Sequence, residues 1–122
     1  MNAQRVFLFD QTQPKLREFP GNKEPMLGRW YIERGKPLDE GSGMSAAMVN
    51  QLPPGAMLPW HVHSEDEEAY FFISGQGAYL DNEKKEHAVK SGDAAFCLKG
   101  EGHGLKNTGA VPLLFCAVIV KK

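Results

Sequence analysis

The residues of this chain best suited to chemistry are two histidines two positions apart, His61 and His63, followed at once by an acidic run from Glu65 to Glu68. Imidazole nitrogens and carboxylate oxygens together make a donor set for a divalent transition metal. In an extended strand successive side chains alternate, so His61 and His63 point to one face, roughly 7 Å apart at the backbone. Two imidazoles so placed can converge on one ion. A carboxylate on the same short strand cannot join them without a bend, so it should come from the next strand. Glu65, Asp66, Glu67 and Glu68 are all candidates, and Glu68 opens the apolar segment EAYFFIS, whose packing would fix its direction. A third imidazole has to come from elsewhere. His103 lies between Gly102 and Gly104, small residues that permit close backbone approach. The remaining histidine, His87, follows a charged turn and reads as an exposed hairpin residue. The competing reading is plainer: such histidine pairs also occur on surface strands, and acidic runs are usually solvated faces.

The elements that must position these residues are strands. Thirteen glycines and eight prolines punctuate the chain and leave only short apolar runs between them, the pattern of strands bounded by turns rather than of helices. From Met44 onward the alternation is steady: MSAAMVNQL stops at PPG, EAYFFIS ends at Gly75, AAFCLK precedes GEG, and VPLLFCAVIV closes the chain. None of these segments holds an apolar period of 3.6 over ten residues. The expectation is an all-β protein, a small antiparallel barrel or sandwich. Residues 1–43 are less regular. RVFLF and GRWYIE suit strands and the rest suits loops, which suggests an N-terminal arm over 1–43 packing on a barrel of residues 44–122, or on a second subunit, and covering a sheet edge.

Length and charge exclude several classes. A chain of 122 residues supports one domain with one core. Fourteen basic against fifteen acidic residues leave a net charge of −1 and no basic stripe for nucleic acid or an anionic membrane. Cys97 and Cys116 sit in apolar runs, without the spacing of a redox pair or zinc knuckle, and read as reduced core residues. The run VFLF, broken by Asp10, is too short for a signal-peptide core, and no segment approaches the roughly 20 apolar residues of a membrane span; a cytoplasmic protein is expected.

Two motifs add a resemblance. Gly55, five residues, His61, Val62, His63, four residues, Glu68, six residues and Gly75 resemble the first motif of the cupin superfamily, G(X)5HXH(X)3,4E(X)6G. Gly92, five residues, Leu98, Lys99, Gly100, two residues, His103, three residues and Asn107 resemble the second, G(X)5PXG(X)2H(X)3N, with Leu98 standing where the family has proline. The spacing to Gly75 selects Glu68 from the acidic run. The resemblance covers residues 44–122 and implies a double-stranded β-helix of the jelly-roll, RmlC-like type. It implies one divalent transition metal (Fe, Mn, Ni, Co or Zn) held by His61, His63, Glu68 and His103. Inward residues of a small barrel are apolar, so Met48, Trp60, Tyr70, Phe72, Leu105 and Phe115 are the expected pocket residues. No further histidine or lysine is placed as a general base, which leaves Glu68 and Tyr70 as the candidates for proton transfer. The activity expected first is a dioxygenase-type oxidation of a small oxygen-bearing organic molecule. The alternatives are a metal-dependent decarboxylase, lyase or isomerase, or a non-catalytic small-molecule-binding module. A homodimer is expected as well.

Overall fold

The structure, a computed structural model, describes residues 4–122. After a single 3-10 turn (Phe9–Gln11) the chain forms ten strands: β1 (Pro14–Arg17), β2 (Met26–Ile32), β3 (Met44–Leu52), β4 (Met57–Val62), β5 (Asp66–Ser74), β6 (Gln76–Leu80), β7 (Glu86–Lys90), β8 (Ala94–Cys97), β9 (Gly102–Asn107) and β10 (Leu113–Lys121). They lie in two sheets, one ordered β1-β2-β3-β10-β5-β8 and the other β4-β9-β6-β7. Every paired neighbour is antiparallel. The result is the jelly-roll barrel that the resemblance implies.

Alternation in the sequence builds the core. In β3, Ala46, Met48, Asn50 and Leu52 face inward, and in β10 Leu113, Phe115, Ala117 and Ile119 do the same. With Leu58, Tyr70, Phe72, Tyr79 and Leu105 they form one apolar cluster between the sheets. Residues before Met44 supply two strands of the larger sheet. β2 pairs with β3, setting Gly28 opposite Asn50 and Trp30 opposite Met48, and Met26 is fully buried.

Turns between the strands rest on the glycines of the two motifs. Gly55, Gly75, Gly92 and Gly100 all have positive φ, a region that costs an L residue with a Cβ roughly 1–2 kcal/mol. Asn107, the last residue of the second motif, is buried and ties three segments. Its Nδ2 donates to the Leu52 carbonyl at 2.8 Å and the Val111 carbonyl at 2.9 Å, while its Oδ1 accepts from the Gly109 N–H at 2.8 Å. Leu98, in place of the motif proline, brings an N–H that proline lacks and donates it to Glu101 Oε1 at 2.9 Å. Glu101 N–H closes the same turn onto the Leu98 carbonyl at 2.9 Å. The departure from the motif thus keeps a defined turn by a different bond.

Two glycines of the first motif separate strain from crowding. A Cβ on Gly75 would lie 2.8 Å from the Pro112 carbonyl oxygen and 3.0 Å from Leu113 Cα, whereas one on Gly55 would meet nothing within 4 Å. Gly55→Ala should therefore lose only the backbone term, about 1 kcal/mol or a few degrees in Tm. Gly75→Ala should lose clearly more, because backbone has to move; equal melting temperatures for the two variants in calorimetry would refute this.

Candidate metal centre

Both sheets contribute to the site. His61 on β4 lies directly across from His103 on β9. His63 follows the end of β4 and is anchored by its backbone N–H to the Glu101 carbonyl at 2.9 Å. Glu68 comes from β5. That strand is next in sequence, as expected, but it belongs to the facing sheet, so closure of the barrel rather than strand pairing brings the carboxylate in. The ligating atoms of His61, His63, Glu68 and His103 all lie within 4.8 Å of one another. His63 Nε2 is 3.1 Å from His103 Nε2, and Glu68 Oε1 is 3.0 Å from each of them. His63, Glu68 and His103 are buried and His61 stands at the exposed edge.

The outer contacts define which nitrogen is free. His61 Nδ1 is 2.8 Å from the Pro59 carbonyl oxygen, and His63 Nδ1 is 2.6 Å from Asp66 Oδ1. Both partners are acceptors, so each Nδ1 carries the hydrogen and each neutral ring presents a bare Nε2. His103 Nδ1 is held at 2.8 Å by the Tyr79 hydroxyl, and its ring is stacked on Tyr70, 4.8 Å between centroids at 27°. With His103 Nδ1–H donating to the Tyr79 hydroxyl oxygen, all three neutral rings aim lone pairs, not N–H groups, at one point beside an anionic oxygen. A cation satisfies that arrangement, and mixed nitrogen and oxygen donors without thiolate fit the divalent transition metals of the sequence expectation.

Without a cation the proton takes its place. Hydrogen bonding to Glu68 and then to Asp66 raises His63 above the ordinary imidazole value despite its burial. Burial is the main cause lowering His61. Burial alone would raise Glu68, but hydrogen bonds from His103 and His63 outweigh it and hold the carboxyl at about 2. Burial, with the Glu68 charge next to it, pushes Tyr70 well above the usual phenol range.

A cavity of about 710 Å³ opens onto His61, His63 and Glu68. Of the expected pocket residues, Met48 and Tyr70 line it, while Phe72, Leu105 and Phe115 lie in the core cluster instead. Trp60 is turned away from the cavity. Its ring lies over Gly102, its Nε1 donates to the Asp81 carbonyl at 3.1 Å, and the Lys84 ammonium sits 4.7 Å from its centroid. A register shift between Leu58 and His61 explains this: alternation counted from Leu58 would turn Trp60 inward, but past the irregularity His61 is the residue that faces His103 and Trp60 turns outward. Asp66, grouped by the sequence with the solvated acids, is instead the partner of His63. Tyr79 escaped the sequence reading, although a tyrosine in a core strand requires a partner for its hydroxyl. Arg17, Trp30, Arg34 and Asn50 also line the cavity, and nothing local to their segments signals it. His87 is exposed and bonded to Asp81 at 2.8 Å, and both cysteines are free.

Residues 48–119 match the family model described as Cupin domain. The chain is a cupin. It is 40% identical over 70 residues to an oxalate-binding protein of Thermotoga maritima, 57% of either chain, so the match spans just over half the length of that curated relative. The crystal structure of a predicted oxalate decarboxylase from Thermotoga maritima superposes with a TM-score of 0.84 at 27% identity, covering 97% of this chain and 100% of that one. An RmlC-like cupin from Shewanella frigidimarina shares the fold, with a TM-score of 0.71 at 12% identity over 98% and 93% of the two chains. Among the described residues, no helix is long and apolar enough to cross a membrane.

The geometry of this cupin makes two predictions. Asp66→Ala frees the His63 ring and should weaken metal binding about 10- to 100-fold, the usual cost of losing such an orienting partner; His103→Ala should abolish it, both read by competition with a chelating dye. Protons and metal compete for the same imidazole nitrogens. Because His63 is raised, its proton begins to return above the ordinary value of about 6.5. Apparent metal affinity should therefore already decline as pH falls towards 6.5 and continue to decline below it. Full occupancy retained at a pH of about 4.5, well below that reference value, would contradict the site.

Proposed function

We propose that this cupin holds one divalent transition metal on His61, His63, Glu68 and His103 and uses it to bind a small carboxylate anion of the oxalate class. The observation that carries the proposal is the convergence of one ring nitrogen from each of three histidines and one carboxylate oxygen beside a cavity also lined by Arg17 and Arg34. Three neutral imidazoles and one carboxylate would leave a 2+ ion a net positive charge, which would suit a small dianion. The protein residues would do the rest: Asp66, Tyr79 and the Pro59 carbonyl orient the rings, and Arg34, 3.5 Å from Asp66, adds positive charge at the mouth.

The names of the relatives support this reading, one an oxalate-binding protein and the other a predicted oxalate decarboxylase. They favour the non-oxidative alternative over the dioxygenase that the sequence analysis placed first. Decarboxylation has one further observation on its side. Burial beside the Glu68 charge keeps the Tyr70 hydroxyl protonated far above neutral pH, and Tyr70 lines the cavity, which places a proton donor on its wall. Cleaving the carbon–carbon bond of the oxalate dianion releases carbon dioxide, and the electron pair left on carbon takes one proton to give formate; Tyr70 is the donor assigned to that proton. The exposed apolar face formed by Phe71, Ile73 and Phe96 supports keeping the homodimer in the same proposal.

The test is calorimetric titration of oxalate into metal-free protein and into protein reloaded separately with Mn(II), Fe(II), Co(II), Ni(II) and Zn(II), with formate and oxygen followed in parallel. Binding should require metal. Formate release without net oxygen consumption should appear with at least one metal and fall at least about tenfold in Tyr70→Phe, the scale of a lost general acid. Equal oxalate binding by the metal-free and metal-loaded forms would sink the proposal, and oxygen consumed in proportion to substrate would restore the dioxygenase.

A further inference from the structure

Two polar atoms on the wall of the metal-site cavity have no partner among the described residues. Asn50 is only 4% exposed, yet its Oδ1 accepts no hydrogen bond, and the buried Trp30 Nε1 donates none. Both residues line the cavity. Gly28, two residues before Trp30 on β2 and opposite Asn50 on β3, shows how close the two atoms are. The point where a Cβ would stand on Gly28 is 2.9 Å from Asn50 Oδ1 and 3.0 Å from Trp30 Nε1. Because residue 28 has no side chain, that wall stays open and the two atoms face the same small space. Burying a donor and an acceptor unpaired is unfavourable unless something within the cavity completes them.

We infer that Trp30 and Asn50 form a second recognition point in the cavity, one that selects a hydroxyl group on a carboxylate substrate larger than oxalate. The inference rests on the reading that a carboxylate occupies the metal. The pair is complementary in a specific way. The indole N–H can only donate, and the amide oxygen facing the space can only accept. A carbonyl or carboxylate oxygen would satisfy Trp30 but set lone pairs against Asn50, and an ammonium would do the reverse. A hydroxyl accepts from the indole through its oxygen and donates its hydrogen to the amide, completing both. Size agrees. A cavity of about 710 Å³ lies in the range that holds ligands well beyond two joined carboxylates. Met48, Leu58 and the Phe19 ring also line this cavity and offer apolar contact to a carbon chain between the two ends. A hydroxylated aliphatic carboxylate, bound at one end by the metal and at its hydroxyl by Trp30 and Asn50, matches every wall.

The experiment compares matched acids that differ only in a hydroxyl: butyrate with 3-hydroxybutyrate and 4-hydroxybutyrate, and succinate with malate. Each is titrated into the metal-loaded wild type and into metal-loaded Asn50→Leu and Trp30→Phe, and the quantity read is the affinity ratio of hydroxy acid to parent within each protein. At least one pair should favour the hydroxy acid by about tenfold or more in the wild type, the discrimination expected of a buried polar site. That ratio should fall to within about threefold in both variants, the residue left by ordinary chelation and solvation. A ratio near one for every pair in the wild type overturns the inference without needing any variant. A ratio that survives in both variants does so too, since the metal alone would then be reading the hydroxyl. Oxalate titrated alongside separates the two ideas. If oxalate binds only with metal while no hydroxyl preference exists, the second recognition point fails and the carboxylate reading stands. If no carboxylate binds the loaded protein, the carboxylate reading itself is what fails.

Discussion

Four lone pairs directed at one point repel each other, and the structure around the site is what keeps them aimed there. The two Nε2 atoms of His63 and His103 stand 3.1 Å apart with Glu68 Oε1 at 3.0 Å from both, a spacing that needs either a shared proton or a cation between the lone pairs. Each ring is prevented from turning away by a bond on its far side: the Pro59 carbonyl for His61, Asp66 for His63 and Tyr79 for His103. Hydrogen bonding of this kind also raises the basicity of the nitrogen offered to a metal. The same crowding governs Glu68, whose carboxyl is held at about 2 by hydrogen bonds from His103 and His63 although burial alone would raise it.

That arrangement depends on closure of the barrel. His61 and His103 are held in register as opposite residues of one strand pair in the smaller sheet, while Glu68 is carried by the larger one. Anything that lets the sheets separate would dissolve the ligand set before it touched a ligand. Asn107 and Gly75 therefore matter at a distance. Asn107 pins the end of β3 and the approach to β10 with three hydrogen bonds. Gly75 lets the turn after β5 pass within contact of the Pro112 and Leu113 backbone. The motif residues that are not ligands thus hold apart, at a fixed distance, the two sheets that carry the ligands.

The N-terminal strands change the character of the cavity. β2 lines the cavity with Met26 and Trp30, beside Met48 and Asn50 of β3. Pairing of β2 with β3 brings Trp30 beside Met48 and leaves Gly28 opposite Asn50, giving one wall a donor and an acceptor where the sequence suggested only packing. Three of the residues expected there, Phe72, Leu105 and Phe115, serve the core instead. They alternate correctly, but inward from a strand means toward the barrel interior as a whole, and the cavity occupies only one end of it.

Much of this protein was determined by the sequence alone. Short alternating runs bounded by glycine and proline require strands whatever their partners, because turn chemistry and side-chain alternation are local properties, and the spacing from His61 to Gly75 and from Gly92 to Asn107 carries the resemblance to the two cupin motifs that implies the four ligands. What only the tertiary structure decided is which groups meet across the barrel. Asp66 looked like one more acid in a solvated run, Tyr79 like a strand tyrosine, and Trp30 and Asn50 had no visible relation to histidines far along the chain. Their roles arise from which strands become neighbours and which way each face turns, and such long-range contacts are set by the packing of the whole chain rather than by any window of it.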